Sequence, residues 1–221
     1  SISGEVVGML DLGKLSGRYL SDVVEGSGLV GGDRFREAYD GRHRKYDREF
    51  EVEKRFGPRG YGYGRFQRAL FVAVHGEGAD QRVAGTDIGL LKVAVFNAES
   101  GACLFEKGKA DGLYLPYGVA FNRAGELFVS DLVGLIYVFG REGQMMRSFG
   151  EGHLGNPRGL SFTAEWELAV ADNGGAVKVF REDGTQVRSI GSHTAPGEDG
   201  GDGKIAYEED VCVCHDGRIR V

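Results

Sequence analysis

Cysteine is scarce in this chain: 3 in 221 residues, at positions 103, 212 and 214. A small disulfide-stapled scaffold is thereby excluded, and a zinc site built on two cysteine pairs cannot be assembled. Proline falls to 4 and tryptophan to 1, and no Gly-X-Y period runs through the chain, which excludes a collagen-like fibre. Long apolar runs are missing. The longest, residues 132–140, has nine members, against the about 20 that a membrane-spanning helix needs, so no membrane span is expected. A basic excess is missing as well: 27 Lys and Arg against 33 Asp and Glu leave a net charge of −6. That excludes a chain that coats nucleic acid indiscriminately. No basic segment leads into an apolar stretch near residue 1, and no Asn-x-Ser/Thr acceptor occurs. With the odd cysteine count these absences lead to an expectation of a reducing, intracellular, cytoplasmic setting, an organelle being the alternative.

Glycine is what the chain has in abundance, 38 residues, more than twice the usual share of about 7%. With 41% hydrophobic residues beside it, the composition fits many short strands joined by tight turns. Self-comparison supplies the plan. Residues 113–153 and 154–194 align without a gap, placing Pro116 with Pro157, Gly118 with Gly159, Phe121 with Phe162, Leu127 with Leu168, Asp131 with Asp172 and Phe139 with Phe180. Within each unit, runs that alternate with period two are separated by turn chemistry. In the first unit they are 118–121, 126–130, 135–139 and 144–149. Four antiparallel strands in about 40 residues make one blade of a β-propeller. No apolar stripe of period 3.6 is long enough for a helical solenoid.

Weaker copies flank the clear pair. Residues 210–221 align with 167–179 after one deletion, which predicts a second and third strand there. Upstream, Pro58-Arg59-Gly60 repeats the Pro-x-Gly opening, 70–74 reads as a second strand, 93–96 as a third, and 75–89 as an insert. Residues 3–10 have the pattern of the outer strand that 195–221 lacks, and pairing them there would cover two exposed edges. The expectation is an all-β, single-domain propeller of about five four-stranded blades (11–57, 58–112, 113–153, 154–194, and 195–221 with 1–10), or six if residues are missing.

The succession Leu-x-x-Pro-x-Gly-Val-Ala-Phe, Gly-x-Leu-Phe-Val-x-Asp, Val-Phe and Phe-Gly resembles NHL repeats, most fully over 113–191 and more thinly toward both ends. The WD40 pattern is absent. The resemblance implies a propeller that usually has six blades and binds proteins or RNA, with a few lyase relatives. It is an analogy about function rather than a derivation.

Candidate chemistry divides into several sets. Asp131 and Asp172 each end a second strand, where a carboxylate can accept backbone N–H bonds across the turn. Their recurrence at one position favours that structural role over a cation-binding ring. Cys212 and Cys214 align with the small positions Ala169 and Ala171, so they are expected as buried thiols; with His215 they fall short of a zinc ligand set. His43, His75, His153, His193 and His215 mostly occupy different positions in the repeat, so the histidine-held metal of a lyase relative is not foreseen. Gly26 to Gly31 spells G-x-G-x-x-G, but without the strand–helix context of a dinucleotide site it is expected to be a loop. The acidic stretch 198–210 lacks regular calcium-loop spacing and is expected to be solvated. No metal and no cofactor are expected.

Two sets remain as binding candidates. Arg59, Tyr117 and Arg158 stand between Pro and Gly in three units, and Arg and Tyr are enriched in binding hot spots. Together with the 75–89 insert they are the expected protein-partner surface of a non-catalytic interaction module or subunit of a larger assembly. The alternative is single-stranded RNA binding through the basic, aromatic region 34–68, carried by Arg42, Arg44, Lys45, Tyr61, Tyr63 and Arg65. A propeller lyase or hydrolase is the third reading.

Overall fold

The computed structural model describes residues 18–24, 28–33, 43–46, 52–173, 175–193, 204–205, 210–213 and 219–220. Side chains are described for 56–191 except 174, and for 210–213 and 219. Its strands form four antiparallel sheets, each with four strands in chain order. The first holds β1 (Arg18–Val24), β2 (Gly28–Asp33), β3 (His43–Tyr46) and β4 (Val52–Phe56). The second holds β5 (Ala69–His75), β6 (Arg82–Asp87), β7 (Lys92–Asn97) and β8 (Cys103–Lys107). The third holds β9 (Pro116–Phe121), β10 (Leu127–Asp131), β11 (Leu135–Phe139) and β12 (Met145–Phe149). The fourth holds β13 (Pro157–Phe162), β14 (Leu168–Asp172), β15 (Ala176–Phe180) and β16 (Gln186–Ile190). Short pairs follow: β17 (Ser192–His193) runs parallel to β18 (Lys204–Ile205), and β19 (Cys212–Val213) antiparallel to β20 (Ile219–Arg220).

The middle strands of the second, third and fourth sheets are apolar on both faces because each of these sheets is covered twice. Val119, Leu127, Val129, Tyr137 and Phe139 of the third sheet join Ala73, Ala84, Val93 and Val95 of the second. The intervening Ala120, Phe128, Ile136 and Val138 join Leu160, Leu168, Val170 and Phe180 of the fourth. Period two thus sends alternate residues into two different cores. On the far side of the fourth sheet, Ala169, Ala171, Val177 and Val179 meet Val211, Val213 and Ile219. Burying a Val, Leu or Phe side chain contributes about 1.5–3 kcal/mol, so stacking the sheets supplies what no isolated sheet could.

The first strands β5, β9 and β13 neighbour one another along the stack. Gly118 faces the Arg158 carbonyl of the next sheet, and Gly159 faces Asp210 and Val211. A Cβ on Gly118 would fall on that carbonyl, and one on Gly159 would lie 2.6 Å from the Asp210 Cα. The repeated glycine is therefore required by close approach of backbones. Because Asp210 and Val211 stand to Gly159 as Arg158 and Gly159 stand to Gly118, β19 occupies a first-strand position, not the second-strand position that the alignment with 167–179 predicted.

Three further expectations are corrected. Residues 70–74 belong to the first strand of the second sheet, β5. The 75–89 segment is not an insert, since it contains the second strand β6. Gly28 to Gly31 lie on β2, antiparallel to β1, so that part of the G-x-G-x-x-G match is strand rather than loop; Gly26 and Ser27 lie outside the described residues. Residues 1–10, with the proposed closure, and the 198–203 and 206–209 parts of the acidic stretch lie outside the described residues.

Candidate functional site

Asp131 and Asp172 end β10 and β14 as the repeat implied, and Asp87 ends β6 as a third member. All three are buried. Each carboxylate receives N–H groups from the segment that enters the first strand of its own sheet. Asp131 accepts from Tyr114 at 2.6 Å and Leu115 at 3.0 Å. Asp172 accepts from Gly155 at 3.1 Å and Asn156 at 2.7 Å. Asp87 accepts from Gln67, from Arg68 at 3.1 Å, and from Gly89 at 2.7 Å across its own turn. Lys178 Nζ lies 2.6 Å from Asp172. These acceptors are engaged by the protein itself, and each ties an incoming loop to the end of a second strand.

Those loops reach one end of the sheet stack, and the first also lies along β8, where Gly64 packs against Cys103. The 57–68 loop is built on Phe66, fully buried with its ring 5.7 Å from that of Phe96, and on Gly64, whose N–H donates to Glu106 at 2.6 Å. So anchored, it turns Tyr61 and Tyr63 outward, 84% and 64% exposed. Partial burial, then the Cys103 thiol and the Glu106 carboxylate, raise the Tyr63 phenol above its ordinary value. Tyr114, 60% exposed, stands on the next loop, and Val133 on the turn after β10. Arg59, Arg65 and Arg68 are exposed on the first of these loops.

Register relocates the predicted partner set. Ala69 pairs with Asp87 as Pro116 pairs with Asp131 and Pro157 with Asp172. The residue equivalent to Tyr117 and Arg158 is therefore Leu70. Arg59 lies in the 57–68 loop, in a short bridge to Phe66. Tyr117 and Arg158 are brought together, with the guanidinium 5.5 Å from the ring centre, a distance at which the ring quadrupole attracts the cation. Tyr117 itself is buried and lies 5.2 Å from the Phe71 ring; it supports Arg158 from beneath. The 75–89 segment does not join this surface as one piece, because β6 crosses the sheet from the opposite end.

The RNA candidates separate. Tyr61, Tyr63 and Arg65 share the exposed loop, whereas Arg44 and Lys45 belong to β3, opposite Arg55 and Lys54 of β4; Arg42 lies outside the described residues. Cys212 is exposed, not buried as its alignment with Ala169 predicted; Cys214 and His215 lie outside the described residues. Among the described residues no group of three or more His, Cys, Asp or Glu is placed to hold a metal. No helix among them is long and apolar enough to cross a membrane. Sequence reading missed Asp87 and Tyr114. Gly85-Thr86-Asp87 against Val129-Ser130-Asp131 carried a signal for the first, a hydroxyl followed by Asp; nothing in the sequence singled out Tyr114.

No family model matches the chain, and no curated protein matches it in sequence. Solved structures do resemble it. Catalytically inactive virginiamycin B lyase from Staphylococcus aureus with quinupristin is similar over 92% of this chain and 62% of its own, at 13% identity and a TM-score of 0.65. The selenomethionine-substituted form of that lyase covers the same shares at 12% identity and 0.66. Hydrazine synthase of Kuenenia stuttgartiensis is similar over 75% of this chain and 46% of its own, at 16% identity and 0.58. The chain thus spans about 62% of the length of the lyase it resembles. At such identities the likeness concerns the fold alone, and with the stacked four-stranded sheets it makes this an all-β chain of propeller type.

Proposed function

We propose that this chain is a non-catalytic protein-interaction module, a scaffold subunit that meets its partner at the end of the stack bearing Asp87, Asp131 and Asp172. The observation carrying the proposal is the exposure of Tyr61, Tyr63 and Tyr114 on the loops that lead to that end, with Arg158 and the exposed Arg59. Loops held on a rigid scaffold are where binding residues concentrate, and Tyr and Arg supply much of the energy of protein interfaces. In the finer form of this reading the propeller is of the NHL-repeat kind, has about five blades and is closed by residues 1–10.

The test is a pull-down from native extract with the wild-type chain and with Tyr61, Tyr63 and Tyr114 all replaced by Ala. The variant is expected to keep its β circular dichroism and lose the captured partner. Undiminished capture would remove the surface from consideration.

A second reading has its own observation. Arg44 opposite Arg55 and Lys45 opposite Lys54 concentrate positive charge on the sheet that leads into the Tyr61 and Tyr63 loop, an arrangement suited to single-stranded RNA. Binding to RNA would weaken steeply as salt rises, by release of condensed counterions. Titration of single-stranded RNA at two salt concentrations decides it, and an absence of binding at low salt ends this reading. A lyase or hydrolase activity is the remaining alternative. The non-catalytic reading is favoured because His75 and His153, the histidines whose side chains are described, stand at opposite ends of the stack.

A further inference from the structure

At the end opposite Asp87, Asp131 and Asp172, His75 closes β5 and lies directly across from Arg82 of β6. Its half-buried ring lies 5.5 Å from that of Phe121 in the third sheet. Beyond it come the 122–125 turn and Arg141. A Cβ on Gly125 would lie 2.9 Å from His75 Nε2 and 3.4 Å from Arg141 Nη1. With glycine there, nitrogens from two sheets close in on one turn, which has no room for a side chain. Arg82, only 14% exposed, is fixed behind them: it donates to the Arg141 carbonyl, and its other terminal nitrogen is 3.7 Å from Glu142. Glu142 is 85% exposed, so its charge is largely spent on water.

Positive charge here exceeds negative. Burial, then Arg141, then Arg82 lower the His75 proton affinity below its ordinary value, and no carboxylate contributes. The groups facing the imidazole are thus two guanidiniums, an aromatic ring and a glycine turn. Such a site is completed by an anion with several acceptor oxygens. Because both nitrogens approach the same turn, separate oxygens of one tetrahedral ion could accept from His75 and from the exposed Arg141 at about 2.8 Å, the distance of charge-assisted hydrogen bonds.

We propose that His75, Arg141 and Arg82 form a binding site for a phosphate group at the junction of the second and third sheets. Arg141, exposed, supplies the paired donors; His75 donates once protonated; Arg82 holds the Arg141 backbone and adds to the field. The phosphate is either a free ion or a monoester carried by a partner. The site uses none of the residues of the tyrosine-bearing loops and stands or falls apart from them.

The experiment follows the His75 ring by NMR through a pH titration, in sodium phosphate and in sodium chloride of equal ionic strength. In phosphate, His75 is expected to titrate about one pH unit higher, since a bound anion favours its charged form. Arg141→Gln should abolish that difference while leaving far-ultraviolet circular dichroism unchanged. Arg181→Gln, on the corresponding turn of the fourth sheet, should preserve it. Methyl phosphate distinguishes the sources: an equal shift assigns the site to phosphomonoesters, and a shift with inorganic phosphate alone assigns it to the free ion. Identical titration of His75 in the two salts, or a full phosphate effect in Arg141→Gln, would overturn the proposal.

Discussion

Asp131 concentrates the local logic of the fold in one side chain. Buried and acceptor-only, it takes the N–H groups of Tyr114 and Leu115 that have no ladder partner where the chain enters the third sheet. Replacing it with Ala strands both donors, each at about 1–3 kcal/mol. Asp131→Ala should therefore lose about 2–4 kcal/mol in urea denaturation, and Asp131→Asn, which keeps one carbonyl acceptor, less. His75 makes a prediction of the opposite electrical kind. Its proton affinity is lowered in the folded chain, so below the ordinary imidazole pKa of about 6.5 the unfolded chain binds more protons. Stability should decline as pH falls through that value toward the folded one. Melting temperatures from pH 8 to pH 5 in chloride should show the decline, and His75→Gln should flatten it.

Strand pairs are joined across sheets by a repeated hydroxyl. Thr86 Oγ1 accepts from the Phe71 N–H at 3.1 Å and donates to the Tyr117 carbonyl of the next sheet at 2.6 Å. Ser130 does the same between Gly118, at 2.7 Å, and the Arg158 carbonyl, at 2.5 Å. At the third equivalent position stands Ala171, where the relay ends and the β19–β20 hairpin is packed by apolar contact instead. Ser130→Ala should leave a buried N–H and a carbonyl unpaired and cost about 1–3 kcal/mol. Gly118→Ala would press a methyl group onto the Arg158 carbonyl and should cost at least as much, through separation of adjacent first strands. Thermal melts of the two variants measure both.

Stacked sheets share their cores, so no sheet is an independent folding unit and an open edge weakens its neighbours. Outer strands show where water begins: on β16, Val187 and Ile190 are 40% and 37% exposed. Under the proposed closure, residues 1–10 cover one such edge beside the 195–221 segment. Their deletion should lower the melting temperature and produce aggregation visible by size exclusion, since an uncovered edge recruits other chains. A monomeric truncation with unchanged melting temperature would show that the ring does not close through these residues.

The local, short-period features were legible in the amino-acid order. The 41-residue offset placed β9 to β16 to within a residue or two, and 135–139 coincides with β11, because alternation and turn chemistry act over neighbours in the chain. Asp131 and Asp172 were legible for the same reason. What the order could not convey was which backbone passes beside which. Pro58-Arg59-Gly60 looked like a strand opening, yet the chain enters the second sheet at Ala69, where Asp87 takes up the loop's N–H groups. Tyr117 looked like a surface residue, yet Phe71 of the preceding sheet covers it, while Tyr61 is left in water by the anchoring of Phe66 under its loop. Period two determines that alternate residues part company; only the stacking of sheets, a matter of backbone approach and cores shared over long sequence separations, decides what each one meets.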